Sequence, residues 1–186
     1  MAAKPEPAGE PTEASGPPVH TVVVMGVSGA GKTVVGSALA ALLGWVFVDA
    51  DDLHPASNRD KMRAGIPLTD DDRQPWLRAV GERLRSEVGV VAACSSLKRR
   101  YRDLLRDYVP DVYFVHLDIE REVLQERLAR RSHEYMPASL LDSQLSALEP
   151  LGPDEYGDTV RPAGSPETTA AAIEAELTGA EAPSAR

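Results

Sequence analysis

The sequence has little of several features that indicate particular classes of protein. It contains one cysteine, Cys94, which excludes an intrachain disulfide and favours a reducing cytoplasm. No apolar run approaches the roughly 20 residues that a membrane span requires, and residues 1–18 lack the basic start and apolar centre of a secretory signal. Positive charge is also scarce, because 20 Lys and Arg residues stand against 29 Asp and Glu residues, a formal net charge of −9. We therefore expect a cytoplasmic protein whose partners are neither nucleic acids nor membranes.

Composition divides the 186 residues into one folded region and two tails. Residues 1–18 are rich in proline, glutamate and alanine, and such a segment cannot bury enough apolar surface to offset the entropy of ordering it. The last residues have a similar composition. The sequence therefore predicts disordered tails at 1–18 and 179–186 and one domain at 19–178.

Short apolar runs alternate with longer helical patterns inside this domain. The predicted strands are 22–25, 45–48, 90–94, 112–117 and a weak fifth near 158–161. The predicted helices are 32–43, 57–64, 72–88, 97–108, 120–131, 139–148 and 166–177. This alternation predicts an α/β fold, a central parallel sheet of about five strands with helices on both faces.

One motif is specific enough to predict a ligand. Residues 26–33 read Gly26-Val27-Ser28-Gly29-Ala30-Gly31-Lys32-Thr33, a complete G-x-x-x-x-G-K-[ST] phosphate loop. The glycines allow a tight turn that aims backbone N–H groups at phosphate oxygens. Lys32 is placed to reach the β- and γ-phosphates, and the Thr33 hydroxyl to coordinate Mg²⁺. A chance glycine loop is the alternative, but the predicted strand before it and helix after it favour a site for a nucleoside triphosphate.

An acidic segment follows the second predicted strand. Because a strand has a period of two, we expect Asp49 and Asp51 to project to the same side, near the phosphate loop. Phosphoryl transfer uses one carboxylate to help hold Mg²⁺ and another to orient or deprotonate the attacking hydroxyl. A solvated acidic turn, with Asp52 as a helix cap, is the alternative. His54 is either a substrate contact or a structural residue of this turn.

Two basic clusters lie further along the chain. Arg73, which can bind a carboxylate through two parallel hydrogen bonds, has Trp76 nearby as an aromatic wall and suits a small anionic substrate. In the second cluster, Lys98 and Arg102 lie four residues apart on a predicted helical face and form the pair favoured for substrate contact. Cys94 ends an apolar run, which favours a small residue at a strand end over a catalytic thiol.

Arginines also precede a polar interruption between two helical patterns. Arg127 and Arg131 stand before residues 132–137, and an arginine-bearing lid there would neutralise developing charge and exclude water. A simple helix–helix connection is the alternative.

The motifs taken together resemble one known family. The resemblance covers residues 20–177 and includes the following segments in addition to the phosphate loop: Asp49-Ala50-Asp51-Asp52-Leu53-His54-Pro55, Gly65-Ile66-Pro67-Leu68, Asp70-Asp71-Asp72-Arg73, Pro75-Trp76-Leu77, Leu97-Lys98-Arg99, Tyr101-Arg102-Asp103, Ser143-Gln144 and Leu148-Glu149-Pro150-Leu151. In these segments the chain is similar to the thermoresistant-type gluconokinases.

The resemblance implies a P-loop kinase fold similar to shikimate and nucleoside-monophosphate kinases, and usually a homodimer. It also implies transfer of the γ-phosphoryl group of ATP, with Mg²⁺, to the 6-hydroxyl of D-gluconate. By position, Asp51 would contact the acceptor hydroxyl and Asp49 the Mg²⁺ shell. His54, Arg73, Lys98 and Arg102 would line the sugar-acid pocket. Arg127 is expected to contact the nucleotide, and Arg131 to assist catalysis from a lid at about 131–138.

Two other functions remain open at this point. One is a related small-molecule kinase with a shikimate-like acceptor, which the motifs between residues 49 and 103 disfavour. The other is a non-catalytic nucleotide-binding module, which Lys32 and the pair of aspartates disfavour.

Overall fold

The computed structural model describes residues 19–130 and 138–179, without the side chains of 138–140. Five strands are present in this part of the chain: β1 (Thr21–Met25), β2 (Val46–Asp49), β3 (Val90–Ala93), β4 (Tyr113–Leu117) and β5 (Gly157–Val160). Seven α-helices accompany them: α1 (Lys32–Leu43), α2 (Ala56–Arg63), α3 (Asp70–Arg85), α4 (Arg99–Tyr108), α5 (Arg121–Arg130), α6 (Ala138–Ala147) and α7 (Pro166–Thr178). A 3₁₀ turn, Ala50–Leu53, follows β2. The predicted tails 1–18 and 179–186 lie outside the described residues except for Gly179, and the predicted lid lies outside them except for Ala138.

The strands form one parallel sheet in the order β2-β3-β1-β4-β5. Every residue of the three inner strands, β3, β1 and β4, is buried, which explains why these strands appear in the sequence as continuous apolar runs rather than alternating patterns. The edge strands β2 and β5 are partly exposed. The predicted parallel sheet of about five strands is therefore confirmed.

Helices cover both faces of the sheet, as predicted. Successive side chains of β1 point to opposite faces, so Val22 and Val24 pack in one core cluster with helix α1 while Val23 and Met25 pack in another. Helices α1 and α7 contact each other on the first side, and α3 contacts α4. Trp76 of α3, 1% exposed, belongs to the second cluster. Among the described residues, no helix combines the length and hydropathy needed to cross a membrane.

Local signals set the ends of the helices. Helix α3 begins two residues before the predicted start, because Thr69 and Asp72 form a capping box in which each side chain bonds the other residue's backbone N–H. Helix α4 begins two residues after the predicted start, with Lys98 as its N-cap. Ser96 lies between β3 and α4 and has a φ of 42°, in the left-handed region that residues other than glycine rarely adopt.

The order of the strands determines where a ligand can bind. Strand β1 lies at the centre of the sheet, with β3 and β2 on one side of it and β4 and β5 on the other, so the strand order changes direction at β1. In parallel sheets the crevice at such a switch point, beyond the carboxyl ends of the strands, is where ligands bind. The phosphate loop follows β1, the acidic segment follows β2 and the loop to Lys98 follows β3, so all three meet at this edge.

Candidate active site

The phosphate loop, residues 26–33, connects β1 directly to α1. Gly29 and Gly31 have φ values of 83° and 96°, in the region that only glycine adopts without strain, and Gly31 is the residue immediately before α1. The turn therefore ends at a helix N-terminus, where free N–H groups and the helix dipole attract an anion. Lys32 Nζ donates to the carbonyl of Val27 at 3.1 Å across the turn. All eight predicted loop residues lie in this turn.

A hydroxyl and a carboxylate meet beside the loop. Thr33 Oγ1 donates to Asp49 Oδ2 at 2.9 Å, and Asp49 Oδ1 accepts from the backbone N–H of Asp51 at 3.1 Å. These oxygens are hard ligands of the type that Mg²⁺ prefers. In the described part of the chain no group of three or more acidic, histidine or cysteine side chains could hold a metal by itself. The donor set fits Mg²⁺ held by one carboxylate and one hydroxyl together with the phosphates of a nucleotide.

The relation between the two aspartates differs from the predicted one. Strand β2 ends at Asp49, and Asp51 lies in the 3₁₀ turn rather than on a continued strand. Their proximity therefore comes from the turn, which the Asp49 carboxylate stabilises by accepting from Asp51 N–H, and not from a two-residue period. The Asp51 side chain is 76% exposed at this edge of the sheet.

His54 is the residue immediately after the 3₁₀ turn. It is 5% exposed and stacks on Trp76, with 4.2 Å between ring centroids. Its Nε2 atom lies 3.9 Å from Asp51 Oδ1. Burial, together with the positive charges of Arg73 and Arg59, lowers the pKa of His54 to about 4, so the imidazole is neutral at pH 7.

A cationic group surrounds the ring of Tyr101. The Arg73 guanidinium carbon lies 5.8 Å from the ring centroid and Lys98 Nζ lies 5.7 Å from it. Asp70 accepts from Lys98 Nζ at 3.0 Å and also from Arg100 and the Tyr101 hydroxyl. The hydrogen bond from Tyr101 is the largest cause that lowers the pKa of Asp70, to about 2. Two cations, Lys98 and Arg100, thus share one carboxylate, and Arg73 adds a third positive charge near the same ring. This leaves an excess of positive charge for an anionic ligand.

The aromatic partner of Arg73 is not the predicted one. Trp76 is buried against His54, and Tyr101 supplies the aromatic face near Arg73 instead. Arg73 Nη1 also donates to the carbonyl of Leu68 at 2.7 Å, which orients the guanidinium. Asp70, Arg100 and Tyr101 are members of this group that the sequence did not single out, although Asp70 and Tyr101 belong to the quoted motifs.

Arg102 does not lie in the pocket. Its side chain has no exposed surface, and its Nε and Nη2 atoms bind the buried Glu155 carboxylate at 2.7 Å each. Nη1 donates to the backbone carbonyls of Ser96, Leu97 and Glu149. This placement contradicts the predicted substrate contact, because every nitrogen of the guanidinium is bound inside the protein.

The contacts of Arg102 instead join two segments that are distant in the sequence. Burial raises the pKa of Glu155, but the bonds from Arg102 and from Gly152 N–H, with the nearby charge of Arg106, outweigh it and hold the pKa at about 2. Glu149 adds a second connection, since its carboxylate accepts from Arg99 N–H at the start of α4. The segment 148–151, which the resemblance includes, therefore anchors α4.

A cavity is lined in part by the phosphate loop. It has a volume of about 290 Å³ and its lining includes Gly31, Val34, Arg127, Arg130, Pro162 and Thr169. Arg127 Nη1 donates to the carbonyls of Gly29 and Ala30 at 3.2 and 3.3 Å. The cavity adjoins the anion site and suits the nucleoside part of a nucleotide. The contribution of Pro162 was not predicted from the sequence.

Three further residues named in the sequence analysis are Gln144, Cys94 and Arg131. Gln144 Oε1 accepts from Ser28 N–H at 2.7 Å, so α6 contacts the phosphate loop, a role that its place in a quoted motif did not reveal. Burial raises the pKa of the Cys94 thiol to about 11, which excludes the catalytic thiol. Arg131 lies outside the described residues.

Comparison with known proteins places the chain among kinases of this fold. A family model described as an AAA domain matches residues 22–151. The chain is 49% identical over 147 residues to the thermosensitive gluconokinase of Escherichia coli K12, which covers 76% of this chain and 78% of that protein. The crystal structure of a gluconokinase from Sinorhizobium meliloti 1021 matches with a TM-score of 0.79 and 46% identity, over 87% of this chain and 94% of that one.

A more distant structure confirms the fold. The shikimate kinase from Acinetobacter baumannii matches 87% of this chain and 94% of that chain with a TM-score of 0.57, at 19% sequence identity, a level that supports likeness of fold alone. The predicted similarity to shikimate kinases is thus confirmed for the fold. The much higher identity to the first two proteins, over most of both lengths, shows that the chain belongs to the gluconokinase family.

Proposed function

We propose that the protein transfers the γ-phosphoryl group of ATP to the 6-hydroxyl of D-gluconate. One observation supports this proposal besides membership of the family: neighbouring side chains lead from the phosphate loop toward the cationic group. Thr33 bonds the Asp49 carboxylate, Asp49 accepts from the backbone N–H of Asp51, and Asp51 Oδ1 lies 3.9 Å from His54 Nε2. Burial and the positive charge of Arg73 lower the pKa of His54. A phosphoryl donor and an acidic acceptor can therefore meet at Asp51.

The donor side is built for a nucleoside triphosphate with Mg²⁺. The N–H groups of residues 26–33 and the charge of Lys32 would hold the β- and γ-phosphates, while Thr33 and Asp49 would hold Mg²⁺, which neutralises phosphate charge. The cavity beside Arg127 and Pro162 would take the nucleoside. Arg127 would also stabilise the charge of the transferred group, a role that we predict for Arg131 as well.

The acceptor side needs a carboxylate at the attacking hydroxyl. In the proposed reaction the C6 oxygen forms a bond to the γ-phosphorus, the bond from that phosphorus to the β,γ-bridging oxygen breaks, and ADP leaves. Asp51 orients the hydroxyl and receives its proton late in the transfer. Arg73 and Lys98 bind the carboxylate at the other end of the sugar acid, and Arg73 can do so through two parallel hydrogen bonds.

A substrate panel tests this proposal. ADP release should be measured with gluconate, shikimate, glycerate and nucleoside monophosphates at saturating ATP and Mg²⁺, with the Lys32→Ala variant as the matched control for contaminating activity. We expect kcat/KM to be highest for gluconate by at least tenfold. A preference for shikimate would identify a different acceptor, and no turnover with any of them would favour the non-catalytic nucleotide-binding module.

Two further properties remain proposals. The resemblance implies a homodimer, and the single, buried cysteine is compatible with a cytoplasmic location. Light scattering in solution tests the first, and cell fractionation tests the second.

A further inference from the structure

The imidazole of His54 is held in one orientation by its surroundings. Its ring lies nearly parallel to that of Trp76, at an interplanar angle of 11°, and Trp76 is itself fixed by a hydrogen bond of 2.6 Å from Nε1 to the carbonyl of Ala50. Since only 5% of the histidine is exposed, the ring cannot turn freely. Its two nitrogens therefore have defined neighbours, Asn58 on one side and Asp51 on the other.

The contact with Asn58 determines which nitrogen carries the hydrogen. Asn58 Nδ2 lies 2.8 Å from the backbone carbonyl of Asp72, and because a carbonyl only accepts, this atom must be the amide nitrogen. The same Nδ2 lies 3.3 Å from His54 Nδ1 and has a second hydrogen to donate. Nδ1 is therefore an acceptor, and the hydrogen of the neutral ring is on Nε2.

The donor that results is directed at the carboxylate that the proposed reaction uses as a base. His54 Nε2 lies 3.9 Å from Asp51 Oδ1, slightly beyond hydrogen-bond distance. The Asp51 side chain is 76% exposed, whereas the histidine ring is buried and stacked on Trp76. A hydrogen bond between them requires only that the Asp51 side chain move until one of its oxygens lies about 3 Å from Nε2.

We propose that His54 is a positioning residue for Asp51. Its Nε2–H donates to one carboxylate oxygen and so holds the other oxygen toward the acceptor hydroxyl. This inference rests on the proposed function for the identity of the base, but the state of the ring can be measured without any substrate. In this arrangement Asn58 determines the tautomer of His54, and Trp76 determines the plane of the His54 ring.

The first experiment reads the tautomer directly. Long-range ¹H–¹⁵N correlation on the ¹⁵N-labelled full chain at pH 7 distinguishes a protonated ring nitrogen from an unprotonated one. We expect His54 to show a protonated Nε2 and an unprotonated Nδ1, and we assign its signals by their loss in His54→Phe. A ring protonated at Nδ1, or at both nitrogens, would overturn the proposal whatever the substrate proves to be.

The second experiment separates positioning from substrate binding. His54→Phe keeps an aromatic ring for Trp76 but removes the donor, and we expect kcat to fall by about tenfold to a hundredfold with KM for gluconate changed less than about twofold. His54→Gln places an amide N–H close to the position of Nε2 and should recover most of the lost kcat. In an Asp51→Ala background, His54→Phe should lower the residual kcat by less than about twofold, because its target is gone.

Other outcomes contradict the proposal. A large rise in KM for gluconate in His54→Phe, or a full additional loss in the Asp51→Ala background, would show that His54 acts on the substrate itself. If the wild-type protein does not phosphorylate gluconate, the proposed function fails, and the tautomer measurement still decides the state of His54.

Discussion

Replacing Arg102 with methionine distinguishes a structural arginine from a substrate-binding one. Methionine is unbranched, uncharged and shorter than arginine, so the substitution removes the bidentate pair with Glu155 without adding bulk. Within the part of the chain that the structure describes, the Glu155 carboxylate, which has no exposed surface, then keeps only Arg106 and the N–H of Gly152 as partners. Three backbone carbonyls also lose the donor that Nη1 supplies.

The expected loss of stability follows from the burial of both Arg102 and Glu155. Removing one member of a buried ion pair costs about 3–5 kcal/mol, because the other charge stays buried without compensation. Since Arg106 remains beside Glu155, we expect the lower end, a loss of about 3 kcal/mol in the free energy of unfolding. For a chain of this length each kcal/mol lowers Tm by about 2–4 °C, so Tm should fall by about 6–12 °C.

Urea denaturation and thermal melting followed by circular dichroism measure this loss. The matched control is Arg99→Met, on the same helix, whose partner Asp154 is exposed, and it should leave Tm nearly unchanged. For the Arg102→Met protein that remains folded, KM for gluconate should change less than about twofold, since the guanidinium does not reach the pocket. An unaltered Tm combined with a KM raised tenfold or more would refute the structural role.

Further substitutions test the other parts of the site. The folded-state pKa of His54, about 4, lies below its unfolded value of 6.5, so protonation favours the unfolded chain as pH falls below 6.5. Between pH 7 and pH 5 the wild type should lose about 2 kcal/mol more stability than His54→Phe, measured by urea denaturation, and equal losses would contradict the burial argument. Lys32→Ala should lower kcat about 10²–10³-fold, and near-normal turnover would rule out the phosphate-loop mechanism. Arg73→Lys should raise KM for gluconate more than KM for ATP, since lysine lacks the planar fork, and equal changes would place Arg73 outside the acceptor pocket. Asp49→Asn should shift the Mg²⁺ titration of activity to higher concentration, and an unshifted titration would remove Asp49 from the metal shell.

The sequence predicted those features of the fold that local signals determine. The bounds of α1 are the same in prediction and structure, because a glycine in the left-handed conformation stands immediately before it and Gly44 ends it in the same conformation. The central strands were recognisable as continuous apolar runs, and the capping box that begins α3 corresponds to a Thr and an Asp three positions apart in the sequence. The 3₁₀ turn after β2 had no recognised signal in the sequence.

Contacts between distant residues could not be predicted in the same way. Arg102 pairs with Glu155, 53 positions away, and no local pattern links them. The predicted pairing of Lys98 with Arg102 on one helical face is also wrong, because Lys98 is the N-cap of α4 and precedes the helix. The stack of His54 on Trp76 again joins two segments that only the tertiary fold brings together.

The most direct test of the central claim identifies the product atom by atom. The purified protein should be incubated with ATP, Mg²⁺ and D-gluconate, and the product examined by ³¹P NMR with correlation to the attached protons. The proposed function predicts one new phosphomonoester signal that is coupled to the C6 methylene protons. This signal should appear at the same rate as ADP and be absent with Lys32→Ala. A phosphoryl group on another carbon, or ADP released with no phosphomonoester, would contradict it.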